Sequence, residues 1–588
     1  MKRVTLLFSI IALFLVSSAF AQTLQDVVSE MRGDTLVLKD DIDYGALNTL
    51  YIALNADSTN VPADRVYMLH KDGYYSLINN PATPTDRKIV IVGEDSHLLK
   101  TNTSTDFPPI ITGAVQTSGN TTGGMTDNYN LVVKNCDIEP GNLAGDIGWG
   151  WFGFAANAKL TVDNCIMEHN YWIFMQPGSN VDISLTNDYF VNMAGFTCRR
   201  NGGIMDIFNP VDSIVVENCT HINAQGSMYK TRNNPINRII FNHNDFIDCA
   251  GHTFMSLGYQ TGVSMTNNIF INTDLQAWSG NINMDPGESD MGGEPMGLVN
   301  EEYPDTTGVP ADSMFYYVDK NLAYWSPTLT DPDTGIVATI NANATNGRTN
   351  WTSNMITMNT RTQGFFDDNT TYPYLTEGTW FNEMPSFTNS STLFTDELQN
   401  VKTYAINAAD TSWATALPLW RVVNTPASTN WTYADWPIPV DLSYSNSDLM
   451  TGGLGGMPVG DLNWFPTQYQ SWMAQRTQEY ATIDNATFHG ITAIRSQANL
   501  PNKFQLSQNY PNPFNPSTVI SYSIPAGANV TLKVYDVLGR EVATLVNGFQ
   551  NANTYKVNFN ASSLSSGVYI YKLEAGSLTM SKKMLLLK

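Results

Sequence analysis

Between residues 130 and 272 the chain repeats one unit, in which an apolar residue is followed by a polar residue, Asn, a small residue and a second apolar stretch. The copies are Val133-Lys-Asn-Cys-Asp-Ile, Val162-Asp-Asn-Cys-Ile-Met, Leu185-Thr-Asn-Asp-Tyr-Phe, Val216-Glu-Asn-Cys-Thr-His, Phe241-Asn-His-Asn-Asp-Phe and Met265-Thr-Asn-Asn-Ile-Phe. The steps between anchors are 29, 23, 31, 25 and 24 residues. A period of this size marks a solenoid. The alternation within each unit is that of a strand and a polar turn, not of a helix. The pattern predicts an all-β chain whose body is a parallel β-helix, one coil per unit.

Two residues after each anchor stand Asn135, Asn164, Asn187, Asn218, His243 and Asn267. On stacked coils these would lie about 4.8 Å apart. Amides at that spacing hydrogen-bond along the file, and Asn tolerates the left-handed φ that a tight bend requires. The next position holds Cys136, Cys165, Asp188, Cys219, Asn244 and Asn268. The cysteines read as small apolar stackers, with a Cys136–Cys165 disulfide between coils as the alternative.

Strand patterns also mark residues 22–110, where Gln25 to Met31 forms a short amphipathic stretch suited to covering the open end of a solenoid. After an insertion at 273–312 the repeat resumes, with Val318 as anchor and Asn321 in the turn. Residues 326–465 lose the period and are expected to hold further coils with long loops. Pro466 to Thr482 reads as a helix lying on the solenoid's end. The last segment shows four short alternating strands between Thr518 and Leu573, the pattern of a small Ig-like β-sandwich. The organisation expected is a leader at 1–21, the β-helix at 22–465, a helix and linker at 466–505, and the sandwich at 506–588.

Composition narrows the setting. Lys2 and Arg3 precede an apolar run from Val4 to Ala19, and Ala19-Phe20-Ala21 is a small-x-small cleavage site, so the leader reads as a secretory signal peptide. No other apolar stretch is long enough to span a membrane. The five cysteines all fall in the repeat zone and form no small-protein disulfide framework. A net charge of −23 argues against nucleic acid and suits a soluble extracellular protein.

The tail residues Asn509-Tyr-Pro-Asn-Pro-Phe-Asn-Pro-Ser-Thr518, Val534-Tyr-Asp-Val-Leu-Gly-Arg-Glu-Val542, Ser565-Ser-Gly-Val-Tyr-Ile-Tyr-Lys-Leu573 and Lys582-Lys-Met-Leu-Leu-Leu-Lys588 closely resemble the type A C-terminal sorting domain of the type IX secretion system. That resemblance implies export, engagement of the type IX machinery, and release to the medium or attachment at the outer-membrane surface. The body resembles the pectate-lyase-like family of right-handed β-helix proteins. The matching features are the Asn-Cys units, Gly73-Tyr-Tyr-Ser-Leu with Ile89-Val-Ile-Val-Gly-Glu94, and Met457-Pro-Val-Gly-Asp-Leu-Asn-Trp464. It implies a polysaccharide partner, although the fold hosts lyases, hydrolases and adhesins alike.

Counting from Gly195, Gly226 and Gly251 places Arg199, Lys230 and Met255 in one file, with Gln176 one coil earlier. Arg200, Thr231 and Ser256 form the next file. With Arg232 and Arg238, five cations gather on two coils. Such a cluster suits an acidic glycan, whose uronate carboxylates Arg meets bidentately. In a lyase one cation neutralises the carboxylate and a base takes the C5 proton. Lys230 is the candidate base, Arg199 or Arg232 the neutraliser, and Arg200, Arg238 and Gln176 the binding residues. Arg232-x-x-Pro-x-x-Arg238 resembles the Arg-x-Pro-x-x-Arg signature of some pectate lyases, with one residue more. Against this stands a solvated basic face balanced by nearby acids. A glycoside hydrolase is the second enzymatic reading, and a non-catalytic adhesin or self-assembling surface protein the alternative to an enzyme. No His/Cys metal set emerges. Ca²⁺ is the one cofactor entertained, through Asp285 to Glu294 or Asp331-Pro-Asp333.

Overall fold

The computed structural model describes residues 23–488 and 504–587, apart from 95–106, 114–123, 141–149, 197–200, 278–294, 302–309, 344–349, 411–439 and shorter breaks. The leader, Trp149, Arg199, Arg200 and the acidic stretch Asp285 to Glu294 lie outside the described residues. Two compact units divide between Thr487 and Phe488.

The first unit is a three-sheet parallel β-helix. One sheet runs over 12 strands from Val28–Arg32 to Leu375–Glu377, and a second over ten from Tyr74–Leu77 to Trp380–Phe381. The third begins at Met125–Asp127 and ends at Phe254–Ser256. In the first sheet Val133, Val162, Leu185, Val216, Phe241, Met265 and Val318 pair each with the next, so the anchors read from the repeat are the true register.

At the corner after this sheet Asn135, Asn164, Asn187, Asn218, His243, Asn267 and Lys320 all adopt left-handed backbone, with φ from 53° to 61°. The bend turns the chain without interrupting the backbone ladder. The N–H of Asn164 still reaches Thr186 O on the next coil at 2.9 Å, and that of Asn187 reaches Glu217 O at 3.0 Å. Asn164 Nδ2 donates to Asn135 Oδ1 at 2.8 Å. One position further, side chains turn inward. Asn244 Nδ2 donates to Val216 O and Asn268 Nδ2 to Phe241 O, while Cys165 and Cys219 aim their Sγ at Val133 O and Leu185 O. Cys and Asn thus share one task, reaching the carbonyl of the preceding coil's anchor. Cys136 and Cys165 are buried thiols and not a disulfide.

A second file of left-handed residues closes the corner after the second sheet: Asn192, Asn223, Asp248 and Asn272. Asn223 Nδ2 donates to Asn192 Oδ1 and Asn272 Nδ2 to Asp248 Oδ1. Between the corners the core carries an aromatic stack of Phe190, His221, Phe246 and Phe270, with successive centroids 4.7, 4.2 and 5.1 Å apart. Offset stacking of this kind adds to simple burial.

Beyond Tyr324 the expectation of further coils needs correction. Among the described residues only Leu375–Glu377 and Trp380–Phe381 extend the two sheets. Residues 440–465 fold back as a cover. Val440, Leu442, Tyr444, Val459, Trp464 and Phe465 pack on Ile166, Tyr189, Ile222, Ile247 and Ile269, which project outward from the second sheet. The helix also extends further than expected, from Pro466 to Phe488, and lies along the flank rather than on the end. Tyr469 meets Asn187, Arg476 meets Glu217, and Asp484 meets Arg238. Its apolar residue Ile483 covers Ile240 and Tyr317 on the first sheet. At the other end the stretch Gln25 to Met31 splits into a helical turn, Leu24–Val27, and an antiparallel edge strand, Val28–Arg32.

The second unit is the expected sandwich of a three-stranded and a four-stranded antiparallel sheet. The strands Glu541–Gln550 and Leu578–Leu586 were not marked by the sequence pattern. Asn509 is buried at the heart of the tail motif, donating to Pro511 O and Thr518 Oγ1. Phe514 bonds through its backbone to Leu585 and Leu587, tying the motif to the terminal strand.

Asp248 is the odd member of the second file. Burial raises its carboxyl to about 8, with nearby Glu397 adding to the rise and the Asn272 amide opposing it. The folded chain keeps this proton up to about pH 8, whereas an unfolded Asp releases it near its ordinary value of 3.8. Folding therefore weakens as pH rises through that window. Asp248→Asn keeps the left-handed preference and the acceptor while removing the titration. The substitution should stabilise the protein by roughly 1–3 kcal/mol at pH 8 and by much less at pH 4. Thermal melts across that range would check this; an equal effect at both pH values would contradict it.

Candidate functional site

The expected cation cluster falls on the outer face of the third sheet. There Thr126, Gly153 and Gln176 form one file, and the pairing of Met175 with Met205 carries that file to Asp206, then to Lys230 and Met255. Gln176, Lys230 and Met255 thus share a file as the spacing predicts. Arg199 and Arg200 lie outside the described residues. Gly195–Phe196 pairs antiparallel with Asn201–Gly202, so the coil strand is Asn201–Ile207 and starts later than Gly195 implies. Asp206 takes the place expected for Arg199, and Ile207 the place expected for Arg200 beside Thr231 and Ser256.

This substitution of an acid for a cation changes the chemistry. Arg232 grips Asp206 with both prongs, Nε to Oδ1 at 2.9 Å and Nη2 to Oδ2 at 2.8 Å. Its guanidinium also lies 4.2 Å over the ring of Phe208, which is 43% exposed. Lys230, the candidate base, is only 1% exposed. Arg238 is not beside them in function: its Nη2 meets Asp484 of the flanking helix at 2.8 Å. Of the expected binding residues that are described, Gln176 is openly exposed and Arg238 half-buried. What emerges is a strip of Gln176, the Asp206–Arg232 fork and the Phe208 ring, close to charge-neutral.

The helix contacts account for further charges. Glu217 is buried, which pushes its carboxyl up, while Arg476 at 2.6 Å opposes the rise. Burial also acts to raise Glu479, but His243, Asn242 and Trp472 outweigh it and hold that carboxyl below its usual range. His243 bridges Gly460 O at Nδ1 and faces Glu479 at Nε2, so it joins the cover to the corner file. His221 lies inside the aromatic stack, and His252 sits against Asp274 in full burial.

For a metal, Asp137, Glu139 and Glu168 each offer a carboxylate oxygen within 4.8 Å of the others, all buried on the outer face of the second sheet. Such an oxygen set has the chemistry of a Ca²⁺ or Mg²⁺ ligand group. It is distinct from the loops singled out by sequence. Asp331 instead accepts from the Thr334 hydroxyl and from the N–H groups of Thr334 and Asp333 as an ordinary turn cap, which lowers its carboxyl. Trp151 and Phe152 are core residues.

Removing Arg232 would strand a buried carboxylate. Arg232→Ala should therefore cost roughly 2–4 kcal/mol in urea unfolding, and Arg232→Lys about half as much, because one point charge replaces a two-pronged contact. An Arg232→Ala variant as stable as the native chain would show that the fork is not structural.

Residues 508–587 match the family described as the secretion system C-terminal sorting domain. No curated protein matches the chain. Among solved structures it is similar to PorZ, described as an essential bacterial surface component of the type-IX secretion system of Porphyromonas gingivalis. The identity is 18% over 17% of this chain and 13% of that one, with a TM-score of 0.11. The chain thus spans far less than two thirds of that protein. No helix among the described residues is long and apolar enough to cross a membrane. The C-terminal unit is a type IX sorting domain, and the protein that carries it is exported to the cell surface or beyond.

Proposed function

We propose that the solenoid binds polysaccharide at the cell surface and does not cleave it by β-elimination. The observation that carries this reading is the Asp206–Arg232 fork beneath the open ring of Phe208. An aromatic face fixed in place presents the apolar side of a sugar ring with a rigid partner. Gln176 adds an amide that exchanges hydrogen bonds with hydroxyl groups. A lyase needs a base that reaches the C5 proton and a cation free to neutralise a uronate. Lys230 is buried and Arg232 is already matched by a carboxylate, so neither is offered in the required way. The Asn-Cys corners and the closing stretch from Met457 to Trp464 support kinship with pectate-lyase-like β-helices, with binding retained and elimination absent.

Incubation of the mature protein with polygalacturonate, alginate and chondroitin, with and without Ca²⁺, should yield no unsaturated product by ultraviolet absorbance. Affinity electrophoresis in the same polymers should show retardation. Phe208→Ala should weaken that retardation about fivefold, equivalent to the ~1 kcal/mol of a stacked ring. Unsaturated product that disappears in Lys230→Ala would restore the lyase reading, and free migration in every polymer would remove the binding one.

A further inference from the structure

The corner that carries the asparagine file continues back into the first coils, where asparagine gives way to other residues. Tyr67 and Ile91 pair as anchors of these coils, and three positions on stand His70 and Glu94. They face one another: His70 Nδ1 lies 3.3 Å from Glu94 Oε2. The other ring nitrogen, Nε2, lies 3.3 Å from Ser29 Oγ on the edge strand. Ser29 is there because the strand slips. Val28 pairs with Leu38 and Glu30 with Val37, leaving Ser29 as the extra residue of a bulge. Bulges re-aim a side chain out of strand register and recur beside active sites.

From this geometry we infer a hydrolytic Ser29–His70–Glu94 relay, acting on O-acyl esters carried by surface polymers. It does not rest on the binding strip. Glu94 accepts at Nδ1, which puts the neutral ring's proton there and leaves the Nε2 lone pair toward Ser29. That is the tautomer a general base requires. Ser29 Oγ also lies 3.0 Å from Val37 O, a contact that orients the hydroxyl while the base is idle. Glu94, Glu30 and Asp40 place negative charge around the ring. Separations of 3.3 Å suit an unliganded site that tightens on its substrate. Ser29 is exposed on the edge strand, so a polymer chain can approach it. An ester fits because its alkoxide leaves more readily than an amine.

In the first half-reaction Ser29 Oγ bonds to the acyl carbon and its proton passes to Nε2. The ester C–O bond breaks, and the departing alcohol oxygen takes that proton. Water then attacks the acyl-serine, gives a proton to Nε2, and the carboxylic acid leaves as Ser29 regains its hydrogen. The sum is ester plus water giving acid plus alcohol.

The test uses the mature full chain and a fluorophosphonate probe, read by intact mass and peptide mapping, with 4-nitrophenyl acetate turnover alongside. The native protein should gain one adduct on Ser29. Ser29→Ala should lose it with an unchanged melting curve, since the residue is exposed. His70→Ala should slow labelling at least about 100-fold, and Glu94→Gln should slow it and displace its pH profile, which a merely structural role would not do. No adduct, an adduct elsewhere, or labelling indifferent to His70 would overturn the relay.

Discussion

The fold depends on a corner that turns the chain without breaking the ladder. At the bends of the first sheet from Asn135 to Asn267 one residue takes φ between 53° and 60°, and its N–H still bonds to the next coil. Left-handed backbone costs most residues about 1 kcal/mol or more, and Asn less than others. An Asn here also hands its amide to the residue above or below, as Asn164 does to Asn135. The bend therefore fixes register, since a slip of one residue would move an anchor out of the core and an intolerant residue into the corner. His243 and Lys320 show that the backbone demand outlasts the amide: both hold the same φ without an Asn side chain.

A stack of such corners leaves two outer faces that water would otherwise wet. Residues 440–488 cover both. The stretch from Leu454 to Phe465 crosses several coils, with Leu454 N–H on Asn267, Asp461 N–H on Asp245 and Trp464 Nε1 on Thr220. Gly460, at φ 89°, approaches Asp245 so closely that any Cβ would collide with it. The helix that follows uses charge where the cover uses apolar surface. These contacts join residues 187 to 259 positions apart and explain why Arg238 and Glu217 face the protein itself rather than a ligand.

Much of this was legible. The anchors, the Asn corner and its left-handed backbone follow from one period, because a corner constraint leaves a residue-specific trace at every coil. The tail motif was legible for the same reason, its Asn509 and Phe514 being tied by specific bonds. The second corner was readable as well, seven residues after the anchors at Asn192, Asn223, Asp248 and Asn272, but the mixture of Asn and Asp hid it. The cation file was misplaced because glycine was used as a ruler across an insertion: extra residues after Gly195 shift the count, and Asp206 fills the file. The relay at Ser29 had no sequence signal at all. It joins three strands through a bulge, and spacing along the chain does not record a bulge.

Hydrogen exchange followed by mass spectrometry tests the corner account most directly. If the left-handed residues carry the ladder through the bend, the amides of Asn164, Asn187, Asn218 and Asn267 will exchange as slowly as those of the anchors beside them, in one cooperative block spanning 130–272. Corner amides that exchange rapidly while the flanking strands stay protected would contradict it, and would mean that the strands, not the bends, hold the solenoid in register.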